Sequence, residues 1–235
     1  MANDERHGPA HTSIARELGI SIVTGLREPG EILPSEFDLA SQLGVSRSVV
    51  REAMRMLAAK GMIESRQKAG TRVRERKHWN LLDPMLLSWM FEGAPPQAFV
   101  RDLFQLRMIV EPAAAEIAAR SRTASQLSRM GHALETMGAK TLNTVEGQNA
   151  DQIFHAVILE ATANELLVSL SGSIAAAVRW TTYFKYRVSA NPSDPMPQHR
   201  ALFEAIANSD PEAARDATIS LIGQALIDTE AALKA

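Results

Sequence analysis

The sequence predicts a mainly α protein: an N-terminal winged helix-turn-helix with a small β-hairpin wing, then a C-terminal all-α bundle. Three observations carry that prediction. Ser46 to Gly61, SRSVVREAMRMLAAKG, reads as a helix with two faces: Val49, Val50, Ala53, Met54, Leu57 and Ala58 form an apolar stripe, and Arg47, Arg51 and Arg55 recur at i, i+4 and i+8 opposite, with Ser48 beside them. Residues 46–77 hold 10 Lys and Arg against 3 Asp and Glu, whereas residues 78–235 hold 12 against 17. Such a basic segment ahead of an acidic body suits a nucleic-acid-binding module joined to something else. Beyond residue 95 only helical periodicity is seen, with no strand pattern and no internal repeat.

Taken in order, residues 12–26 predict a first helix with Ile14, Leu18, Ile22 and Val23 facing inward. Glu28-Pro29-Gly30 makes a turn, and Ile32 to Ser35 leads into a short second helix. Ser35 is its N-cap, Asp38 three residues on completes a capping-box pattern, and Leu39, Ala40 and Leu43 supply its apolar side. Gly44-Val45 is the tight turn before the arginine helix, which Ser46 caps and Gly61 stops. Read as a helix-turn-helix, the pair places the arginine face in a DNA major groove; read blandly, that face is simply solvated. Residues 62–66 and 71–74 alternate as short strands around Gln67-Lys68-Ala69-Gly70. That hairpin is the wing, and Lys68 at its tip can reach a phosphate or the minor groove.

The run G-x-x-x-P-G-x-x-L-P-S-E-x-x-L-A-x-x-L-G-V-S-R-S-x-V-R-E-A, from Gly25 to Ala53, strongly resembles the DNA-binding domain of the GntR regulator family. The wing ending A-G-T-R-V resembles it too, and the match covers residues 12–75 almost without gaps. The resemblance implies that Ser46, Arg47, Ser48 and Arg51 contact operator DNA, with Gly70 at the wing turn. One departure is Phe37, where many members carry a basic residue.

The stretch 78–95 predicts a linker with a short helix that Asp83-Pro84 begins, and Trp79 and Trp89 are expected to pack. Helices are then expected at 96–120, 123–138, 142–161, 164–189, 195–208 and 211–233. The domain division is therefore 1–77, 78–95 as linker and 96–235; the resemblance makes the first the DNA-binding domain and implies effector binding and dimerisation for the last.

Asp151 and His155 lie four apart and project from one helical face, with Ile153, Phe154 and Ile158 placed to face the core; His199 belongs to a later helix. One carboxylate and two imidazoles suffice as ligands for a divalent metal, although by spacing alone structural or surface histidines serve equally well. Arg107 sits among apolar neighbours and needs a carboxylate, supplied by an acid ligand or by Glu111 one turn on.

The patterns D-x-x-F-H-x-x-I, N-x-x-L and H-x-x-L-x-x-A-I-x-x-x-D-P-x-x-A resemble the FCD effector domain of the FadR subfamily, as does Leu106-Arg107 leading to Glu111-Pro112-Ala113. The resemblance implies a metal, zinc, held by Asp151, His155 and His199, with Arg107 beside a carboxylate effector. One recognition helix reads only a few base pairs, so a homodimer on palindromic double-stranded operator DNA is expected. The fourth ligand expected by the resemblance falls on Leu221, which cannot coordinate. Together with H-W-N-x-L-D-P at residues 78–84, this points to regulators of sugar-acid operons, with galactonate as an example of the effector, and away from fatty acyl-CoA sensing.

The chain has no cysteine, which excludes disulfides, cysteine nucleophiles and thiolate zinc sites. No apolar run approaches a membrane span and the first residues lack a signal-peptide pattern, so a cytoplasmic location is expected, and the resemblance implies a repressor without enzymatic activity. The competing classes are a metal-dependent enzyme built on the same three residues and an architectural DNA-binding protein without effector.

Overall fold

The computed structural model describes residues 9–234 apart from 67–68, 93–94 and 190–191. Lys68, expected at the wing tip, lies outside the described residues. The chain divides into two compact units, Met1–Gly93 and Ala94–Ala235.

In the first unit α1 (Ala10–Val23), α2 (Glu36–Leu43) and α3 (Arg47–Ala59) pack around one core. Ser35 caps α2, its Oγ accepting from Asp38 N–H at 3.2 Å and donating to Asp38 Oδ2 at 2.6 Å. Gly44 then takes the left-handed conformation at φ 64°, open to glycine at little steric cost. That turn lets Ser46 start α3, with its Oγ accepting from Val49 N–H at 3.4 Å. On α3 the buried residues are Val50, Ala53, Met54 and Leu57; Ala58 is exposed. On α2 Leu39 and Ala40 are buried, but Leu43, expected inside, is 42% exposed at the helix end beside the turn.

The wing is three-stranded, in the order β1-β3-β2, all antiparallel. The hairpin β2 (Ile63–Arg66) and β3 (Gly70–Val73) is as expected, and β1 (Ile32–Leu33) adds an edge by pairing Leu33 with Thr71. Two residues are too few to show alternation in sequence, yet they obey it: Leu33 is buried and Ile32 exposed.

The expected linker is largely structured within the first unit. A 3₁₀ turn at Arg76–His78 precedes α4 (Pro84–Glu92), whose Leu86 and Trp89 join the core of α1 and α3. The Trp89 ring lies where a Cβ on Gly19 would come within 2.4 Å of it, so a glycine at that point of α1 makes room for the indole. Asp83 Oδ1 caps α4 by accepting from Met85 and Leu86 N–H, and it pairs with Lys60 Nζ at 2.7 Å.

The second unit is helical throughout its described residues: α5 (Gln97–Ser121), α6 (Ala124–Lys140), α7 (Val145–Glu160), α8 (Glu165–Ser169), α9 (Ser171–Val188), α10 (Met196–Ala207) and α11 (Pro211–Ala232). Caps account for several starts. Thr123 and Gln126 form a complete capping box on α6, Thr144 caps α7, and Asp210 with Pro211 at the first helical position starts α11. The single helix expected at 164–189 is two, α8 and α9, joined at Leu170. Asn164 caps α8, and the Ser169 hydroxyl donates to the Leu166 carbonyl at 2.7 Å, competing with the helical pattern at the junction.

Small residues on α5, Ala114, Ala115, Ala118 and Ala119, let α5 pack closely on its partners, and α5 lies against α11, α10 and α7. α7 is clasped between α6 and α9. Its inward face carries Phe154, fully buried, which by area alone contributes roughly 1.5–3 kcal/mol. Ile153 was expected on the same face and is 49% exposed. At about 100° per residue it lies some 200° from Asp151, so it cannot share a face with Asp151 and His155. Among the described residues no helix is long and apolar enough to cross a membrane.

Candidate DNA-reading face and candidate metal centre

Because Val50, Ala53 and Leu57 anchor α3 to the core, its opposite face is solvent-exposed, with Ser46, Arg47, Ser48, Arg51 and Arg55 upon it. Ser46 and Ser48 share a hydrogen bond of 2.8 Å between their hydroxyls. Arg51 is already engaged: its Nε and Nη2 converge on Glu36 Oε2 at 3.1 and 3.0 Å. Arg55 lies 3.5 Å from Glu52. Gly70, at φ 78°, opens β3 and pairs with Arg66. Phe37 is 65% exposed, an apolar side chain next to Glu36 at the start of α2. The structure thus gathers the predicted α3 residues on one face. Glu36, not singled out in sequence, stands among them.

The second constellation lies inside the α-helical unit. Asp151 and His155 project from α7 and His199 from α10, and all three are buried at 2–3% exposure. One ligand atom of each lies within 4.8 Å of the others, an arrangement able to hold a metal ion. His199 Nε2 is 3.0 Å and His155 Nε2 3.6 Å from the same oxygen, Asp151 Oδ1. The two rings stand nearly perpendicular, at 85°. Asp151 Oδ2 accepts from the Thr182 hydroxyl of α9 at 3.2 Å.

The far side of the His199 ring fixes its tautomer. His199 Nδ1 lies 2.9 Å from the Pro195 carbonyl, which can only accept, so Nδ1 carries the proton of a neutral ring. In that neutral ring Nε2 turns a lone pair toward Asp151 Oδ1, where a metal ion can sit; with a proton on Nε2 the same contact is a hydrogen bond to the carboxylate. His155 Nδ1 faces a carboxylate instead, 2.8 Å from Glu111 Oε2. That approach is close but not aligned as a hydrogen bond, so Oε2 is buried with an ionic neighbour and no donor pointing at it. An imidazole held through one nitrogen by a carboxylate or carbonyl and free at the other is the usual form of a metal-binding histidine.

Arg107 completes the cluster and adopts the local pairing of the two alternatives. Its Nε donates to Glu111 Oε1 at 2.6 Å, with both side chains 3% exposed, and Nη1 lies 3.4 Å from Thr181 Oγ1. Burial would raise the Glu111 pKa, but the charges of Arg107 and His155 outweigh it and hold the carboxyl at about 2. Burial acts the same way on Asp151, where the hydrogen bond and charge of His199, with His155 and Arg107, bring it to about 2. Both carboxylates are ionised at neutral pH. Leu221, at the expected fourth-ligand position, is 4% exposed in the apolar core and offers no donor. The exposed Ser220 beside it does not replace it.

Sequence reasoning did not connect Glu111 to His155, nor Thr181 and Thr182 to the site. The i, i+4 spacings of Asp151 with His155 and of Arg107 with Glu111 were local signals; the contacts of Glu111 with His155, Thr181 with Arg107 and Thr182 with Asp151 join different helices. Lys185, one turn beyond Thr181, is also buried and was not anticipated; its ammonium lies 3.4 Å from Asp228 Oδ2.

Comparison with known proteins agrees with both halves. Residues 10–73 match the bacterial regulatory proteins of the gntR family, and residues 102–224 match the FCD domain. The galactonate operon transcriptional repressor of Escherichia coli K12 is 34% identical over 208 residues, which span 87% of this chain and 90% of that one. An uncharacterized HTH-type transcriptional regulator of the same organism, YieP, is 34% identical over 211 residues, 89% of this chain and 90% of its own. Among solved structures, a GntR protein of Streptococcus agalactiae superposes with a TM-score of 0.50 at 27% identity, covering 92% of this chain and 99% of that one. With a reading helix and wing in its first unit and an FCD domain in its second, the chain belongs to the GntR family of bacterial transcription regulators.

Proposed function

We propose that this regulator is a repressor whose grip on a palindromic operator, as a homodimer, is controlled by a small carboxylate effector, a sugar acid such as galactonate. The observation that carries the effector half is the charge of the buried cluster. Two ionised carboxylates, Asp151 and Glu111, face one guanidinium, Arg107, so once the imidazoles give up their protons, as metal ligands must, the cluster holds one net negative charge in a water-poor core. A divalent ion on Asp151, His155 and His199 reverses that sign, and one effector carboxylate then brings it to zero. Burying uncompensated charge is costly, so a cluster of this composition favours taking up a cation and an anion together.

Zinc suits the donor set of one carboxylate oxygen and two imidazole nitrogens, and the facing lone pairs of His199 and Asp151 fit such an ion. When bound, it supplies a Lewis-acidic position for a carboxylate oxygen. The chain's own groups orient it: the Pro195 carbonyl fixes the His199 imidazole, Glu111 flanks that of His155, and Thr182 holds the second oxygen of Asp151. Arg107 stands ready as the guanidinium partner of the acid. The effector residues are then Arg107, Asp151, His155 and His199, three of them shared with the metal. A purely architectural DNA-binding protein has no need of these polar groups in its core.

On the DNA side the reading assigns base and phosphate contacts to Ser46, Arg47, Ser48 and Arg51, with Lys68 and Gly70 contributing from the wing. The similarity to a galactonate operon repressor supports the repressor role and the sugar-acid effector. The test is a gel shift on an operator selected from random duplexes, with and without galactonate and related sugar acids, alongside thermal shifts of the zinc-loaded protein. Saturation at about 100 times Kd raises stability by about 2.7 kcal/mol. An operator complex indifferent to every sugar acid, with no thermal shift, would defeat the effector reading. Operator binding unchanged in Arg47→Ala would defeat the DNA contacts.

A further inference from the structure

We infer that Glu36 is a positioning residue for base recognition: it clamps Arg51 so that the guanidinium meets the DNA in one fixed orientation. The inference rests on the reading of α3 as the helix that enters the major groove. Glu36 is the first residue of α2 and Arg51 lies in the second turn of α3, so the contact spans the helix-turn-helix. Nε and Nη2 of Arg51 converge on one oxygen of Glu36 at 3.1 and 3.0 Å, and Nε lies 3.4 Å from the other.

A guanidinium has five N–H donors in a rigid plane. Holding it by the Nε edge leaves the outer edge, Nη1 and the second hydrogen of Nη2, as a two-pronged fork. That fork is the shape that fits O6 and N7 of guanine in the major groove. Without the clamp, the arginine loses more rotamer freedom on meeting a base and can swing to a phosphate instead. The presence of a carboxylate here also needs a reason. Glu36 stands on the face that meets the polyanion, where its charge repels phosphates and weakens binding to every sequence. As an acidic residue in the first turn of α2 it also favours the helix dipole, and that is its alternative role.

The two roles predict opposite results. A duplex is selected from a random library with the full-length wild type. The selected duplex and a scrambled one of equal length are then titrated against wild type, Glu36→Gln, Arg51→Ala and the double variant. If Glu36 positions Arg51, Glu36→Gln binds the selected duplex about tenfold more weakly yet binds the scrambled duplex as tightly as wild type or tighter. A selection repeated with Glu36→Gln loses its guanine preference at one position of each half-site, and the double variant binds like Arg51→Ala. If Glu36 only charges a helix end, Glu36→Gln binds both duplexes equally well or better and selects the same sequence, which overturns the inference. Equal weakening on both duplexes overturns it as well, because specificity is then untouched. A wild type that enriches no sequence overturns the base-reading role of α3 itself, a result distinct from the other two.

Discussion

Glu111 stands 2.8 Å from His155 while its other oxygen holds Arg107 at 2.6 Å, so one carboxylate on α5 ties the candidate metal ligand of α7 to the candidate effector contact. Glu111→Gln keeps the shape but offers an amide where His155 needs an acceptor. Zinc affinity is expected to fall about 10–100-fold, as for other partners of metal-bound histidines. Competition against a chelator of known affinity measures it, and an unchanged affinity would show that Glu111 merely balances Arg107.

Leu221 stands where the family resemblance expects a fourth ligand and lies in the apolar core. Leu221→His should bind zinc more tightly than wild type and melt at lower temperature when stripped of metal, because an unpaired imidazole then replaces packed methyl groups. Adding zinc should restore the melting temperature. Melting curves that ignore zinc would mean that residue 221 does not face the trio.

The acid limb of stability follows from the two buried carboxylates. Asp151 and Glu111 have folded pKa values of about 2 against ordinary values of 3.8 and 4.5. Their contribution is complete above pH 4.5 and is lost as pH falls from there through about 2, where the folded state must take up the protons. Urea unfolding of metal-stripped protein between pH 6 and 2.5, read as roughly the slope of stability on pH, tests this. Asp151→Asn should flatten the slope, and an identical slope in that variant would remove Asp151 as a contributor.

Asp83 does two jobs in the first unit, capping α4 and pairing with Lys60, which is only 8% exposed. Asp83→Ala is therefore expected to destabilise that unit by roughly 3 kcal/mol, from a lost cap and a stranded buried ammonium. Arg47→Ala, on an exposed surface, should leave the melting temperature alone. Differential scanning calorimetry of both variants checks the contrast, and equal melting temperatures would contradict it.

What could be read from sequence was whatever repeats locally. Ser46, Thr144 and Asp210 begin helices because a side-chain oxygen reaches an N–H three residues on, and such signals lie within a few letters of one another. Asp151 and His155 share a face for the same reason, and His199 joined them through a family pattern. The contacts Glu111–His155, Thr182–Asp151 and Glu36–Arg51 join different helices, and no spacing encodes them. Ile153 shows the opposite limit: its hydrophobicity suggested the core, while the helical angle set by Asp151 and His155 sends it outward. The split at Leu170 was hidden because both flanking segments favour helix.

Trp89 also decides where the reading module can be cut free. The indole fills the space left by Gly19, Leu86 is buried in the same core, and Arg16 of α1 bonds Glu92 at the last residue of α4. A fragment ending at residue 77 would keep every group proposed to face DNA and yet leave α1 with an open apolar trench. It would be prone to self-association, and it would understate the module's affinity for DNA. The shortest excised piece able to seal its own interior runs through Glu92, so fragments for binding assays should end beyond the helix and not beyond the wing.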